Sequence, residues 1–188
     1  MAVAFSFDKT EQRILSGIVC DAIEKRLQGE APLPPAPKDY NANLVQNLGC
    51  FVTLTIMGHL RGCIGSIVGT QPLVVCAWNM AQAAAFRDPR FRPLKPSEWP
   101  HTRVEITVLD QLSPCPNPEA IEIGRHGLVL QYMGRSGVFL PQVPVEQGWD
   151  LDQYLTNLCY KAGLPDGSWK KQGARLFWYE GFKFQARG

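Results

Sequence analysis

Residues 50 to 65 leave the chain few structures to adopt. Phe51-Val-Thr-Leu-Thr-Ile-Met57 alternates apolar with polar and is rich in β-branched residues, Gly58-His59 interrupts it, and Leu60-Arg-Gly-Cys-Ile-Gly65 follows. Period-two alternation puts successive side chains on opposite faces of a strand. A short glycine-bearing break between two such runs marks a β-hairpin. The register of that hairpin decides what Cys63 meets. A two-residue turn at Gly58-His59 sets Cys63 opposite Leu54 and Arg61 opposite Ile56, making the thiol a small buried hydrophobe. A three-residue loop or a bulge sets Cys63 opposite Thr55 and Arg61 opposite Met57, gathers Val52, Leu54 and Ile64 on the core face, and turns the thiol to the more polar side.

Helical and strand patterns alternate through the rest of the chain. Asp8 and Glu11 have capping-box spacing, and Ile14, Leu15, Ile18, Val19, Ala22, Ile23 and Leu27 recur at three and four, so residues 9–27 form an amphipathic helix ended by Gly29. Ala31-Pro-Leu-Pro-Pro-Ala-Pro37 holds four prolines in seven residues and is a connecting strap, neither helix nor central strand. Leu73, Val74, Ala77, Ala81 and Ala84 predict a second helix that ends before Asp88-Pro89. Residues 102–109 alternate again, with Val104, Ile106 and Val108 on one side and Arg103, Glu105 and Thr107 on the other. Gly127–Tyr132 and Gly137–Gln142, flanking Gly134-Arg-Ser-Gly137, predict a second hairpin. Asp150 with Gln153 caps a third helix carrying Leu151, Tyr154, Leu155 and Leu158, ended by Gly163. Residues 176–184 supply a last strand. The order hairpin, helix, strand, then hairpin, helix, strand predicts an α+β fold: a mostly antiparallel sheet flanked by helices, in two unequal lobes with a hairpin–helix duplication. Residues 1–188 are read as a single domain.

Charge and composition narrow the function classes. With 19 basic and 17 acidic residues the net charge is +2, too small to steer the chain toward nucleic acid or an anionic membrane. No apolar run is long enough to span a bilayer, and Met1–Asp8 has no leader character, so a cytoplasmic protein is expected. Six cysteines are scattered with no C-x-x-C pair, which indicates neither a disulfide framework nor a zinc site. No cofactor or metal is expected. The required third glycine of a dinucleotide fingerprint is absent around Gly62 and Gly65.

The reactive form of cysteine is the thiolate, and nearby positive charge favours it. Arg61 beside Cys63, on backbone left bare by Gly62 and Gly65, makes Leu60-Arg-Gly-Cys-Ile-Gly-Ser66 the candidate site. Cys63 is the candidate nucleophile, with Glu105 or His126 to handle protons. Arg61, Gly62, Gly65, Ser66 and Arg90 are candidates to hold a small anionic ligand, since a guanidinium fork grips carboxylate or phosphate at two points. Each has a plainer reading. Glu105 pairs Arg61 or Arg103, His126 bonds a turn, and Arg87, Arg90 and Arg92 around Asp88 form a structural corner. Lys170-Lys171 beside Trp169 and Phe177-Trp178-Tyr179 suit stacking on a single-stranded base, which keeps an RNA-binding alternative open.

The Leu60–Gly65 motif, preceded by Phe51-Val-Thr-Leu54 and followed by Ala84-Ala-Phe-Arg-Asp-Pro-Arg-Phe91, resembles the AMMECR domain family. Val104-Glu-Ile106, His126-Gly-Leu128, Phe139-Leu-Pro-Gln-Val143, Glu146-Gln-Gly-Trp-Asp150 and Leu158-Cys-Tyr-Lys-Ala-Gly-Leu164 extend the resemblance from about residue 8 to 184. It implies an α+β fold of two unequal lobes with the cysteine motif near a cleft, and an intracellular protein. It also implies Memo-type and radical-SAM proteins as partners, which gives a scaffold or partner-binding module as the alternative to a catalytic pocket. It brings no settled activity.

Overall fold

Asp8 opens the first helix as its spacing predicts. Its Oδ1 accepts the N–H groups of Thr10 (2.7 Å) and Glu11 (2.8 Å), while its own N–H donates to Glu11 Oε2 at 3.0 Å. Three otherwise orphaned donors are thereby satisfied. The helix, α1, runs Lys9–Leu27. Glu11 is buried, and its other oxygen accepts from the Asn41 and Asn43 side-chain amides, which ties the segment after the proline-rich strap to the start of α1. The computed structural model describes residues 5–188; Met1–Ala4 of the stretch read for a leader lie outside the described residues.

The chain divides into two units. One comprises the described residues through Leu109 together with Phe182–Gly188, and the other Asp110–Gly181. The first holds α1, β1 (Gly49–Ile56), β2 (His59–Ser66), α2 (Leu73–Phe86) and β3 (Thr102–Leu109). β2 pairs β1 and β1 pairs β3, both antiparallel, and β2 is the edge strand. One face of this sheet carries Val52, Leu54, Val104, Ile106 and Val108, all buried, and packs with α1 and α2 around Leu15, Val19, Ile23, Leu73, Ala77 and Ala81. The other face carries Phe51, Thr53, Cys63, Glu105 and Thr107, all half-buried.

The β1–β2 turn differs from both expected forms. It is centred on Met57-Gly58, each with positive φ (51° and 80°), and Ile56 faces His59. Positive φ at both central residues is the turn whose twist matches a hairpin. One residue is then extra between the pairs Leu54–Gly62 and Thr55–Leu60, so Arg61 is the bulge. Cys63 consequently faces Thr53, not Leu54 or Thr55. The grouping tied to the bulged form is nevertheless present: Val52, Leu54 and Ile64 share the helix side, and the thiol lies on the polar side.

The second unit contains β4 (Ser113–Pro114), β5 (His126–Tyr132), β6 (Arg135–Phe139), α3 (Gln142–Gln147) and α4 (Leu151–Lys161). β7 (Arg175–Arg187) serves both units: its earlier residues pair with β5 and β4 in the second, and its last residues lie in the first. Leu128, Leu130, Tyr154, Leu155 and Leu158 form a separate core under α4. The second hairpin turns earlier than the glycine spacing suggests, at Met133-Gly134, and β6 ends at Phe139. Gln142 begins α3 instead of ending a strand, because Pro141 is already in helical backbone and Pro144 falls in the first turn, where a missing N–H costs nothing.

The two hairpins share a construction that their residue order hides. Each turns on Met-Gly, and in each the leucine three residues before that methionine faces a glycine, Leu54 with Gly62 and Leu130 with Gly137. A Cβ on Gly62 would meet the Ala84 carbonyl oxygen of α2 at 2.2 Å, and one on Gly137 would meet the Ala162 nitrogen just after α4 at 2.6 Å. In both units a missing side chain lets a helix, α2 in the first and α4 in the second, press its C-terminal turn onto the hairpin.

Candidate functional site

The main chain of Cys63 is held from outside the sheet. An edge strand leaves one side of its N–H and C=O groups unpaired. At Cys63 those groups meet the Asp88-Pro89-Arg90 corner: the N–H donates to Asp88 Oδ2 at 2.9 Å, and the carbonyl accepts from Arg90 Nη2 at 3.0 Å. Asp88 in turn accepts from Arg90 Nε (3.0 Å), Nη2 (2.8 Å) and main-chain N (3.1 Å). The Asp88 side chain is 1% exposed. Arg90 holds its carboxyl well below the usual carboxylate range, with the Cys63 N–H assisting. Asp88 and Arg90 together act as a substitute neighbouring strand for one residue.

Arg61, carried outward by the bulge, is engaged by a different carboxylate. Its Nε and Nη2 donate to the two oxygens of Glu98 at 2.8 and 3.0 Å, and Nη2 also reaches the Pro93 carbonyl at 3.4 Å. This two-point pair depresses the Glu98 pKa. The guanidinium lies 5.9 Å from the Phe91 ring centroid, and its Nη1 is buried with no hydrogen-bond partner among the described residues. Gly62 accommodates α2. Gly65 lies under the Phe51 ring, where a Cβ would come within 2.2 Å of ring carbons. The Ser66 hydroxyl donates to the Val68 carbonyl at 2.8 Å.

What remains free to face outward is the thiol. Cys63 Sγ is 3.3 Å from Thr53 Oγ1. The register continues the row across β1 to β3, setting Glu105 beside Thr53, so Cys63, Thr53 and Glu105 follow one another on the polar face. Glu105 pairs with Lys183 at 3.3 Å rather than with Arg61 or Arg103. The other cysteines are packing residues or burdened by burial. Cys50, Cys76 and Cys159 are buried, burial pushes the Cys20 thiol up to about 11, and Cys115 is raised for the same reason.

His126 lies in the second unit at the start of β5, 6% exposed, stacked on Trp178 with ring centroids 4.4 Å apart. Its Nδ1 accepts the Glu122 N–H at 2.9 Å, the turn-bonding role open to it from the sequence, and burial lowers its pKa. Among the described residues no group of three or more His, Cys, Asp or Glu side chains is arranged to hold a metal ion. No helix among them is long and apolar enough to cross a membrane.

The model of the AMMECR1 family matches residues 17–184, with the cysteine motif, its clamp and both hairpins inside the match. The chain belongs to the AMMECR1 family. A protein from Methanothermobacter thermautotrophicus is 37% identical over 186 residues, 96% of each chain. One from Aquifex aeolicus is 39% identical over 165 residues, covering 84% of this chain and 83% of its own. The crystal structure of an uncharacterized protein from Pyrococcus horikoshii superposes with a TM-score of 0.80 at 34% identity, covering 96% of this chain and 94% of that one. These relatives carry no assigned activity in their names.

For this AMMECR1 chain, the sequence places Asp88 in an arginine corner but not its bond to Cys63, and it gives neither Glu98 nor Thr53 a part in the candidate site. Asp88 had a signal, its place in a tight Asp-Pro-Arg corner. Thr53 becomes visible only when the Met57-Gly58 turn and the Arg61 bulge fix the register. Glu98 lies 37 residues from Arg61 and has no local sequence signal.

Proposed function

We propose that the polar face of the first unit's sheet is a thiol-centred site that binds and acts on a small ligand, with Cys63 as the group that contacts it. The observation that carries this reading is the division of labour at Cys63. Both main-chain groups are fixed by Asp88 and Arg90, while the side chain is left on a polar face beside the Thr53 hydroxyl. A nucleophile needs a fixed direction and a neighbouring group that can hold or move a proton. Thr53 and Glu105 lie next in the row and take that part. Arg61, Gly62, Gly65 and Arg90 serve the reading by building the strand that carries Cys63. An intracellular setting suits six cysteines that all stay free.

The test is a thermal-shift screen of small metabolites against the protein and Cys63→Ala. Compounds that raise the midpoint of the first but not the second support the site. If every stabilising compound acts equally on both, the thiol is not its centre.

A second reading, a partner-binding module, is favoured by the hairpin tip, where Met57 is 89% and Leu60 44% exposed. Exposed apolar side chains at a rigid turn suit a protein partner, with Memo-type and radical-SAM proteins as the proposed candidates. Met57→Ser with Leu60→Ser abolishes co-purification of such a complex if that reading holds.

A further inference from the structure

On the first unit, away from Cys63, the end of β7 meets α1 and the segment before β3. Trp99 Nε1 donates to Glu24 Oε1 at 2.8 Å, and Arg187 Nη1 donates to the same oxygen at 3.1 Å. The Arg187 guanidinium carbon lies 4.3 Å over the Trp99 ring. An indole face and a carboxylate are thus turned on one cation, the pairing that attracts guanidinium and ammonium groups. Beside it lies a cavity of about 330 Å³ lined by Glu24, Leu27, Gln28, Pro96 and Trp99. Among the described residues Glu24 is its only charged lining residue, and its Oε2 has no hydrogen-bond partner there. Leu27, Pro96 and the indole supply apolar wall.

We propose that this cavity binds a guanidinium or ammonium group carried on a short alkyl stem, with Glu24 as counter-ion and Trp99, Pro96 and Leu27 against the stem, and that Arg187 is its built-in competitor. An anion is disfavoured by the single carboxylate, and an uncharged ligand would leave Oε2 unused. Arg187 demonstrates that the geometry accepts a planar cation. Because it is tethered, it competes at a high effective concentration, so removing it strengthens binding of a free ligand.

Two sources carry this chemistry, a free amine and an arginine side chain of a peptide. Calorimetric titration with agmatine and with a blocked Gly-Arg-Gly peptide distinguishes them, the tighter binder naming the source. Arg187→Ala is expected to bind the preferred probe at least about fivefold more tightly than the unmodified protein, and Arg187→Ala with Glu24→Gln about tenfold more weakly than Arg187→Ala alone. Gln at 24 still offers Trp99 an oxygen, so the fold is kept. Butylurea, uncharged on a similar stem, is expected not to bind. Absence of binding to Arg187→Ala, whose folding is checked by its melting curve, overturns the proposal, as does equal binding after Glu24→Gln.

Discussion

Replacing Asp88 with asparagine should separate the clamp from the rest of the fold. Four hydrogen bonds converge on the two carboxylate oxygens, from the Cys63 N–H and three Arg90 nitrogens. Asparagine keeps one oxygen and puts an amide NH2 where the other accepted, so two donors on that side face a third. Arg90 is 54% exposed on its side chain, and water recovers much of what it loses. The Cys63 N–H is partly buried, and leaving such a donor unsatisfied costs about 1–3 kcal/mol. With the weakened ion pair the expected loss is about 2–3 kcal/mol, which for a chain of this size lowers the melting temperature by about 5–10 °C. The loss has a pH signature. Arg90 depresses the folded-state pKa of Asp88 below its ordinary 3.8, so its stabilisation is fully present above that value and fades as pH falls through the folded-state value. The gap between the protein and Asp88→Asn should therefore be constant between about pH 6 and 8 and narrow below about pH 4. Denaturant melts at several pH values measure it. A variant that melts within about 1 °C of the unmodified protein at neutral pH would refute the clamp.

Other substitutions test the remaining contacts. Gly62→Ala drives a Cβ into the Ala84 main-chain carbonyl, which cannot yield without moving α2, and should cost about 3 kcal/mol or more; Gly65→Ala meets the Phe51 side chain, which can yield by turning about χ1, and should cost less, about 1–2 kcal/mol. Urea titration ranks them, and the reverse order contradicts the packing described. Burial lowers the His126 pKa below its ordinary 6.5, so the unfolded chain takes up the proton first and stability falls as pH drops below that value. An NMR titration of the imidazole should show the depressed midpoint, and a midpoint at or above 6.5 would contradict it. Arg61→Lys removes the two-point grip on Glu98 and should raise the Glu98 pKa toward the ordinary glutamate range, read from carboxyl carbon shifts; an unchanged value would show that Arg61 is not what depresses it.

Much of the fold was legible because local rules carried it. The capping boxes at Asp8 and Asp150, the alternation of 102–109 and the stop before Asp88-Pro89 need only neighbours in sequence. The hairpin registers were less so, since a methionine with positive φ is not a favoured turn residue and a bulge leaves no composition mark. Around the candidate cysteine the sequence marks the motif but not what surrounds it. Arg61 and its glycines advertise ligand binding, yet Glu98, the Ala84 carbonyl and the Phe51 ring occupy them. Such pairings depend on where a chain returns in space, which spacing along it does not encode.

The most direct test of the thiol-centred site is site-resolved alkylation of the folded protein at neutral pH, with the other five cysteines as internal controls. Cys63, half-buried on the polar face, should label well ahead of Cys50, Cys76 and Cys159, which are buried in the cores. Thr53→Val should change the Cys63 rate without altering the others. If Cys63 labels only together with the buried three, upon unfolding, it is a packing residue and the site proposed around it does not exist.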